Sequence, residues 1–375
     1  MASISKALIV GGGIAGLSCA VSLSRAGVHC DVVEVGNSWG GASIGITGRA
    51  ADALGELGIH EECLAASTPF PRDSTVASQF DATGQLVSPG PPRPDWPGSK
   101  LGMGVYRSAL LKSLADAAKR QGASIRIGVT AKSIEEQASA SLVHFSDDTS
   151  GSYDLVIGAD GINSSVRAMA FPDAPKPSYA GQFSMRWMVE GSPIDAEGWY
   201  SSPAGRLGFY NLPKGVTYVA AVFNIPQFRW LEKAEVLALF GGLLDSFTAP
   251  AIQELRRRLK PDSDVIARPF EWLLVPDTWV RGRTLLIGDA AHATTAHLGM
   301  GGGMALEDSV VLGQCIANAP TLDEALAQFM FRRYSRVRTV VETSLALSQL
   351  EQRGAPRSEA VTLMKTALTA ISEAY

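Results

Sequence analysis

Cysteine is scarce and scattered: Cys19, Cys30, Cys63 and Cys315 are the four in 375 residues, and no two form a Cys-x-x-Cys pair. That spacing excludes a disulfide framework and a zinc knuckle, and makes a reducing, cytoplasmic setting the expected one. A surplus of one charge is also missing. The formal net charge of -4 offers no basic field for nucleic acid or an acidic membrane surface. Long apolar runs are absent as well, so no window spans a bilayer, and the opening MASISKALIVGGG lacks the charged and then apolar pattern of a secretory leader. Histidine is rare, at five residues; His292 and His297 are five apart, which is no metal-ligand spacing, and no metal is expected. No internal repeat or low-complexity tail occurs. An apolar fraction of 46% over this length still supports a large core in one domain or two interleaved ones.

Glycine, by contrast, is plentiful at 38 residues, and its placement is informative. Residues 7–10 form an apolar run ending in Gly11-Gly12-Gly13-Ile14-Ala15-Gly16, after which Leu17, Ala20, Val21 and Leu23 recur at helical spacing. This predicts strand, tight turn and helix. A second strand over 30–35 carries Glu34 and Val35 about 20 residues beyond the glycines, as a dinucleotide fingerprint requires. Gly11 permits the turn, Gly13 lets backbone approach a pyrophosphate, and Gly16 lets helix pack on strand, with the helix N-terminus facing negative charge. Glu34 is suited to accept hydrogen bonds from a ribose diol. NAD and FAD both fit this unit.

Two further motifs follow. Residues 154–161, Asp-Leu-Val-Ile-Gly-Ala-Asp-Gly, form a buried strand breaking into a polar turn at Asp160-Gly161. Residues 284–292 form another apolar strand, ending in Gly288-Asp289. Together and in this order, the three motifs resemble those of the single-component FAD-dependent aromatic hydroxylases, which include para-hydroxybenzoate, salicylate and urate hydroxylases. The resemblance covers about residues 5–345. It implies an α/β fold with a Rossmann-like FAD-binding domain, interleaved with a smaller β-sheet substrate domain and followed by a helical C-terminus. It also implies non-covalent FAD, with NADH or NADPH and O2 as co-substrates, and hydroxylation of a small aromatic substrate through a flavin C4a-hydroperoxide. Position by position, Gly11, Gly13, Ile14, Ala15, Gly16, Glu34 and Val35 resemble the ADP site, and Asp289, after Gly288, the residue that bonds the ribityl chain. Asp160 and Gly161 resemble a motif that serves FAD and the nicotinamide cofactor. Arg107 matches an arginine near the FAD phosphates, Val129 a position whose backbone meets adenine, and Arg49 a segment over which FAD lies. The loop Gly299-Met300-Gly301-Gly302-Gly303-Met304 should edge the isoalloxazine, with a helix beginning near Gly303 turning its positive end to the ring. In this loop the family's proline is Ala296, and its Gly-Gln-Gly is Gly299-Met300-Gly301.

The remaining segments suggest the domain plan. The FAD-binding domain is expected over 1–70, 99–177 and 276–345, the substrate domain over 71–98 and 178–275, and a C-terminal helix over 346–375. Residues 69–99 are proline-rich, with a hairpin over 74–88 turning at Thr83-Gly84 and expected to cover the flavin. Strands are expected at 182–189, 205–211 and 216–223, with a helix at 234–243 that extends toward Leu259. Arg332, Arg333, Arg336 and Arg338 read as a solvated or ion-paired helix face. For catalysis, His297 is the leading base for a phenol proton, since it lies on the loop expected to touch ring and substrate and histidine is the residue type suited to proton transfer near neutral pH. Arg186, Arg206, Tyr210 and Tyr218 lie on the expected wall sheet, where an arginine favours an anionic substrate. The protein is expected to be a monomer or homodimer. Alternatives are a reductase, oxidase or halogenase of the same fold, a nicotinamide-only dehydrogenase, and a flavin-binding regulator. Residues 36–40 and 41–45 each match Gly-x-Ser-x-Gly, but a hydrolase elbow needs a strand-to-helix turn that this glycine-rich loop does not predict.

Overall fold

The computed structural model describes residues 4–36, 40–72, 78–90, 96–191, 194 and 196–375. The apolar run after the N-terminus forms the strand Lys6–Val10, flanked in parallel by His29–Glu34 and Leu155–Gly158. Ser124–Ile127 and Thr284–Leu286 extend this sheet in parallel on either side, and Val280–Arg281 adds an antiparallel edge. Parallel strands need both faces covered, so they read as continuous apolar runs. The helix Ile14–Arg25 covers one face, and nine of its twelve residues are buried. Gly16 allows that closeness, since a Cβ there would lie 1.8 Å from the Gly11 carbonyl oxygen.

The seven-stranded sheet runs in the order Val265–Trp272, Ser178–Glu190, Val216–Asn224, Gly205–Leu212, Gly198–Ser202, Gln79–Phe80 and Leu86–Ser88. Side chains alternate across it. Met185, Trp187, Leu207, Phe209, Val219 and Ala221 face the helices Lys233–Asp245 and Pro250–Arg258 and form a core separate from that of the parallel sheet. A fully buried Phe contributes about 1.5–3 kcal/mol, and Phe209 and Phe240 supply two here. Arg186, Arg206, Tyr210 and Tyr218 therefore fall on the opposite face.

Several expectations need correction. The helix expected to run toward Leu259 is broken: it ends at Asp245 and a second begins at Pro250, whose missing N–H is tolerated in a first turn. The strands Gly198–Ser202 and Val265–Trp272 were not anticipated. Gln79–Phe80 and Leu86–Ser88 do form a hairpin, but it extends the far edge of the sheet and gives no residue to the central cavity, so its described part does not cover a flavin. Residues 74–77 of that expected hairpin, and Pro91, Pro92 and Pro94, lie outside the described residues, as do residues 37–39 of the first Gly-x-Ser-x-Gly match. In the second match, Ser43 sits in the strand Ser43–Ile46, paired with Met103–Tyr106, and so is no elbow. The helix expected near Gly303 begins at Gly301 and runs to Asn318. Leu322–Gln352 crosses residue 345 without interruption, and Arg357–Ala370 follows it. Among the described residues no helix is long and apolar enough to cross a membrane.

Candidate active site

A cavity of about 1140 Å³ runs from the glycine turn after Val10 to the face of the seven-stranded sheet. This exceeds the roughly 300–1,000 Å³ of a site for one small ligand. At one end lie Gly11, Gly13, Ile14, Ala15, Glu34 and Val35. Gly11 has φ +113°, and a Cβ there would meet the Ala159 carbonyl at 2.3 Å; a Cβ on Gly13 would meet nothing within 4 Å and would project into open space. The helix Ile14–Arg25 begins at this point with no side-chain cap, leaving its first N–H groups for an anion. Glu34 is pinned, its Oε2 accepting from Gly12 N–H and its Oε1 from Gly36 N–H, both at 2.6 Å. These features fit an ADP moiety.

The cavity's middle is lined by Arg107, Asp160, Gly161 and Asp289. Asp160 organises its own turn, accepting from Ser164 Oγ at 2.5 Å, Ser165 N at 2.7 Å and Val166 N at 3.1 Å. Arg167, just beyond, donates to the Ala290 and Ile162 carbonyls and ties the Asp-Gly and Gly-Asp turns together. Asp289 opens the short helix Asp289–His292. Its side chain is accessible from the cavity although protein surrounds it, and that enclosure raises its carboxyl, partly offset by His292 and Arg107. Behind this turn lies a buried ion network. Asp308 accepts from Gly288 N–H at 3.0 Å and lies 2.6 Å from His292 Nε2. Arg333 Nε donates to Asp308 at 2.8 Å and Arg333 Nη1 to Glu307 at 2.7 Å, and Arg336 also donates to Glu307. The arginine run is thus ion-paired at Arg333 and Arg336, with Arg333 fully buried rather than solvated.

Of the loop expected to edge the flavin, Gly299, Gly301 and Gly302 line the cavity. Gly303 faces Ala50, and Met304 is buried with its carbonyl and sulfur toward Arg333, so neither lines it. Gly16 and Gly288 support the wall from behind. Val129 is displaced by one: its N–H donates to the Glu34 carbonyl at 3.1 Å, and Thr130 faces the cavity. Arg49 is the clear miss. It donates to the Ser372 carbonyl and to Asp52 and stacks over Trp96 at 4.1 Å, away from the cavity.

At the far end the structure brings together every residue expected there: Arg186, Arg206, Tyr210, Tyr218 and His297. Arg206 lies over the Trp199 ring at 4.6 Å, and its buried Nε has no hydrogen-bond partner among the described residues. Tyr210 and Tyr218 lie side by side, ring centroids 6.2 Å apart. Burial raises the Tyr218 hydroxyl, against an opposing pull from Arg186. His297 Nδ1 is 2.9 Å from Thr295 Oγ1, and its ring meets Phe270 edge to face. Two charged residues here were not anticipated. Glu351, at the end of the long helix, places Oε2 3.4 Å from His297 Nε2, and Arg357 opens the last helix at the same wall. The sequence signal for them was slight: two charges flanking the helix break Gly354-Ala355-Pro356.

Residues 5–188 and 270–344 match the sequence profile of the FAD binding domain family. The chain is 30% identical to the FAD-dependent urate hydroxylase of Klebsiella pneumoniae, over 90% of this chain and 88% of that one. It is also 30% identical to the 2-heptyl-3-hydroxy-4(1H)-quinolone synthase of Pseudomonas aeruginosa, over 94% and 91%. Among solved structures, Klebsiella pneumoniae HpxO complexed with FAD and uric acid superposes with TM-score 0.79 at 25% identity, covering 97% of each chain. A salicylate hydroxylase substrate complex shares the fold, with TM-score 0.80 at 23% identity over 100% of this chain and 96% of that one. The glycine cradle, the pinned Glu34 and the Asp289 turn accord with these matches, and the chain belongs to the FAD-dependent aromatic monooxygenases, flavoprotein oxidoreductases that use NAD(P)H and O2.

Proposed function

We propose that this enzyme hydroxylates a small anionic or phenolic aromatic or N-heteroaromatic substrate held against the seven-stranded sheet. The observation that carries this reading is the continuity of the cavity: a dinucleotide cradle opens directly onto Arg206, Tyr210, Tyr218 and His297. In this division, 1–70, 99–177 and 276–345 hold FAD, and 71–98 with 178–275 hold substrate.

Gly11, Gly13 and Glu34 would hold the ADP part, Arg107 the phosphates and Asp289 the ribityl chain. FAD supplies the redox chemistry, accepting hydride from NAD(P)H and activating O2. Arg206 offers its unpartnered Nε–H to an oxyanion or carboxylate of the substrate and is held in plane by Trp199. Charge-assisted bonds of this kind orient as well as bind. Tyr210 and Tyr218 provide a polar edge beside the ring, and Phe270 and Leu347 help exclude water, which protects the reaction from wasteful collapse. His297 is the base on which the substrate's hydroxyl proton comes to rest, and loss of that proton raises electron density on the ring. Oxidation of NADH or NADPH should accelerate with hydroxylated aromatic or N-heteroaromatic acids, and one atom of labelled O2 should enter the product. Ligand-stimulated turnover without label in the product would instead indicate the reductase or oxidase reading.

A further inference from the structure

The substrate end of the cavity has three walls, and the third comes from the C-terminal helices. The long helix delivers Leu347, Leu350 and Glu351, and the last helix Arg357. Glu351 and His297 face each other across 3.4 Å without a hydrogen bond, and His297 Nε2 has no other partner among the described residues. Their exposures differ in a telling way. The Glu351 side chain is 29% exposed and the His297 side chain 8%, so of these two cavity-lining groups the glutamate is the more accessible. Burial raises the Glu351 carboxyl, yet His297 and Arg206 outweigh it and keep the group below the ordinary glutamate range. Glu351 is thus an ionised acceptor at the cavity surface. His297 Nδ1 lies 2.9 Å from Thr295 Oγ1; in the neutral tautomer that donates through Nδ1–H, the lone pair is at Nε2, on the side of Glu351.

We propose that Glu351 and His297 form a two-part proton acceptor, in which Glu351 takes the substrate's hydroxyl proton and passes it to His297 Nε2. The substrate O–H bond breaks and its electron pair stays on the substrate oxygen, while an O–H bond forms on Glu351. That bond breaks in turn as N–H forms on His297, leaving an imidazolium beside a carboxylate. The order follows basicity, since an imidazole holds a proton more tightly than a carboxylate. The other charged and titratable groups lining this end are Arg186 and Tyr218, Arg206 and Tyr210 on the sheet, and Arg357 on the last helix. The arginines favour the oxyanion left on the substrate, so the relay and the anion site act on the same atom.

This inference rests on the hydroxylase reading, but its test needs neither NAD(P)H nor turnover. The FAD-loaded full chain is titrated with 4-hydroxybenzoate and with 4-hydroxy-3-nitrobenzoate, whose hydroxyl is already ionised at neutral pH. Binding is followed by perturbation of the flavin spectrum, and ionisation by phenolate absorbance. In the native protein, bound 4-hydroxybenzoate should ionise at a lower pH than it does free. Glu351→Gln should move that ionisation up by about one pH unit or more, Glu351→Asp should move it less, and neither should weaken binding of the nitro compound more than about twofold. With retained flavin as the folding control, an unchanged ionisation in Glu351→Gln overturns the proposal. So does an equal loss of affinity for both probes, which marks a merely structural residue, or failure of the native chain to bind either probe at millimolar concentration. The labelled-oxygen experiment, which uses the native chain alone, decides the hydroxylase reading separately.

Discussion

Asp289 sits where the flavin's middle is expected, and its environment is asymmetric: enclosing protein raises its carboxyl while Arg107 and His292 pull the other way. Asp289→Ala removes an acceptor worth about 1.5–3 kcal/mol when a charged group is involved. The variant should bind FAD about 10–100-fold more weakly, read as a lower ratio of flavin to protein absorbance after purification. Arg206→Lys should be nearly as damaging to substrate affinity as Arg206→Gln, because lysine cannot reproduce a planar group stacked on Trp199. A raised KM with unchanged flavin content is the expected signature. The places of Gly11, Gly13, Glu34, Asp160 and Asp289 in the cavity wall were legible in the sequence, since each belongs to a motif whose backbone geometry fixes its position within a few residues. Glu351 and Arg357 were not, because only the packing of two helices after residue 321 brings them to a loop and a sheet far back in the chain.

The helices Gly301–Asn318 and Leu322–Gln352 meet through Glu307, Asp308, Arg333 and Arg336, all buried or nearly so. Removing one partner of such a network leaves a buried charge uncompensated, at a cost of about 3–5 kcal/mol. Asp308→Asn should therefore lower thermal stability markedly, and, through Gly288 N–H and His292, loosen the turn that presents Asp289. Burial pushes the Asp308 carboxyl up, but His292 and Arg333 prevail and draw it down to about 2. Because an unfolded aspartate titrates near about 3.9, this contribution is complete above about pH 4 and is lost as pH falls toward 2. Acid unfolding of Asp308→Asn should accordingly be less steep through that window than that of the native chain. At this scale the strands and helices were largely legible from period and turn residues. The arginine run was not resolved by its spacing, since a solvated helix face and a buried ion pair present the same pattern until the opposing helix supplies Glu307 and Asp308.

Across the whole molecule, all four cysteines lie in the core built around the parallel sheet. Burial raises the Cys30 thiol to about 12 and the Cys63 thiol to about 11, and a thiol is reactive only as its thiolate. The native protein should show no fast-reacting thiol toward a thiol-specific chromogenic reagent, and four after denaturation. Because these cysteines share one core, their exposure should follow that core's unfolding with a single midpoint, whereas the sheet's own core around Phe209 and Phe240 holds none. The long helix joins the first of these cores to the strand Ser178–Glu190 of the seven-stranded sheet. It is anchored to the core by Arg333, and to the sheet where Ser348 donates to Gln182 Oε1 at 2.5 Å and Gln352 to the Ala180 carbonyl at 2.8 Å. At 1.5 Å per residue, the fifteen positions from Arg333 to Ser348 make an unbroken rod of about 22 Å. That rod acts as a fixed gauge between the dinucleotide cradle and the substrate wall. The two halves cannot swing apart without unhooking it, so a ligand is admitted by fitting the space the helix has already measured out.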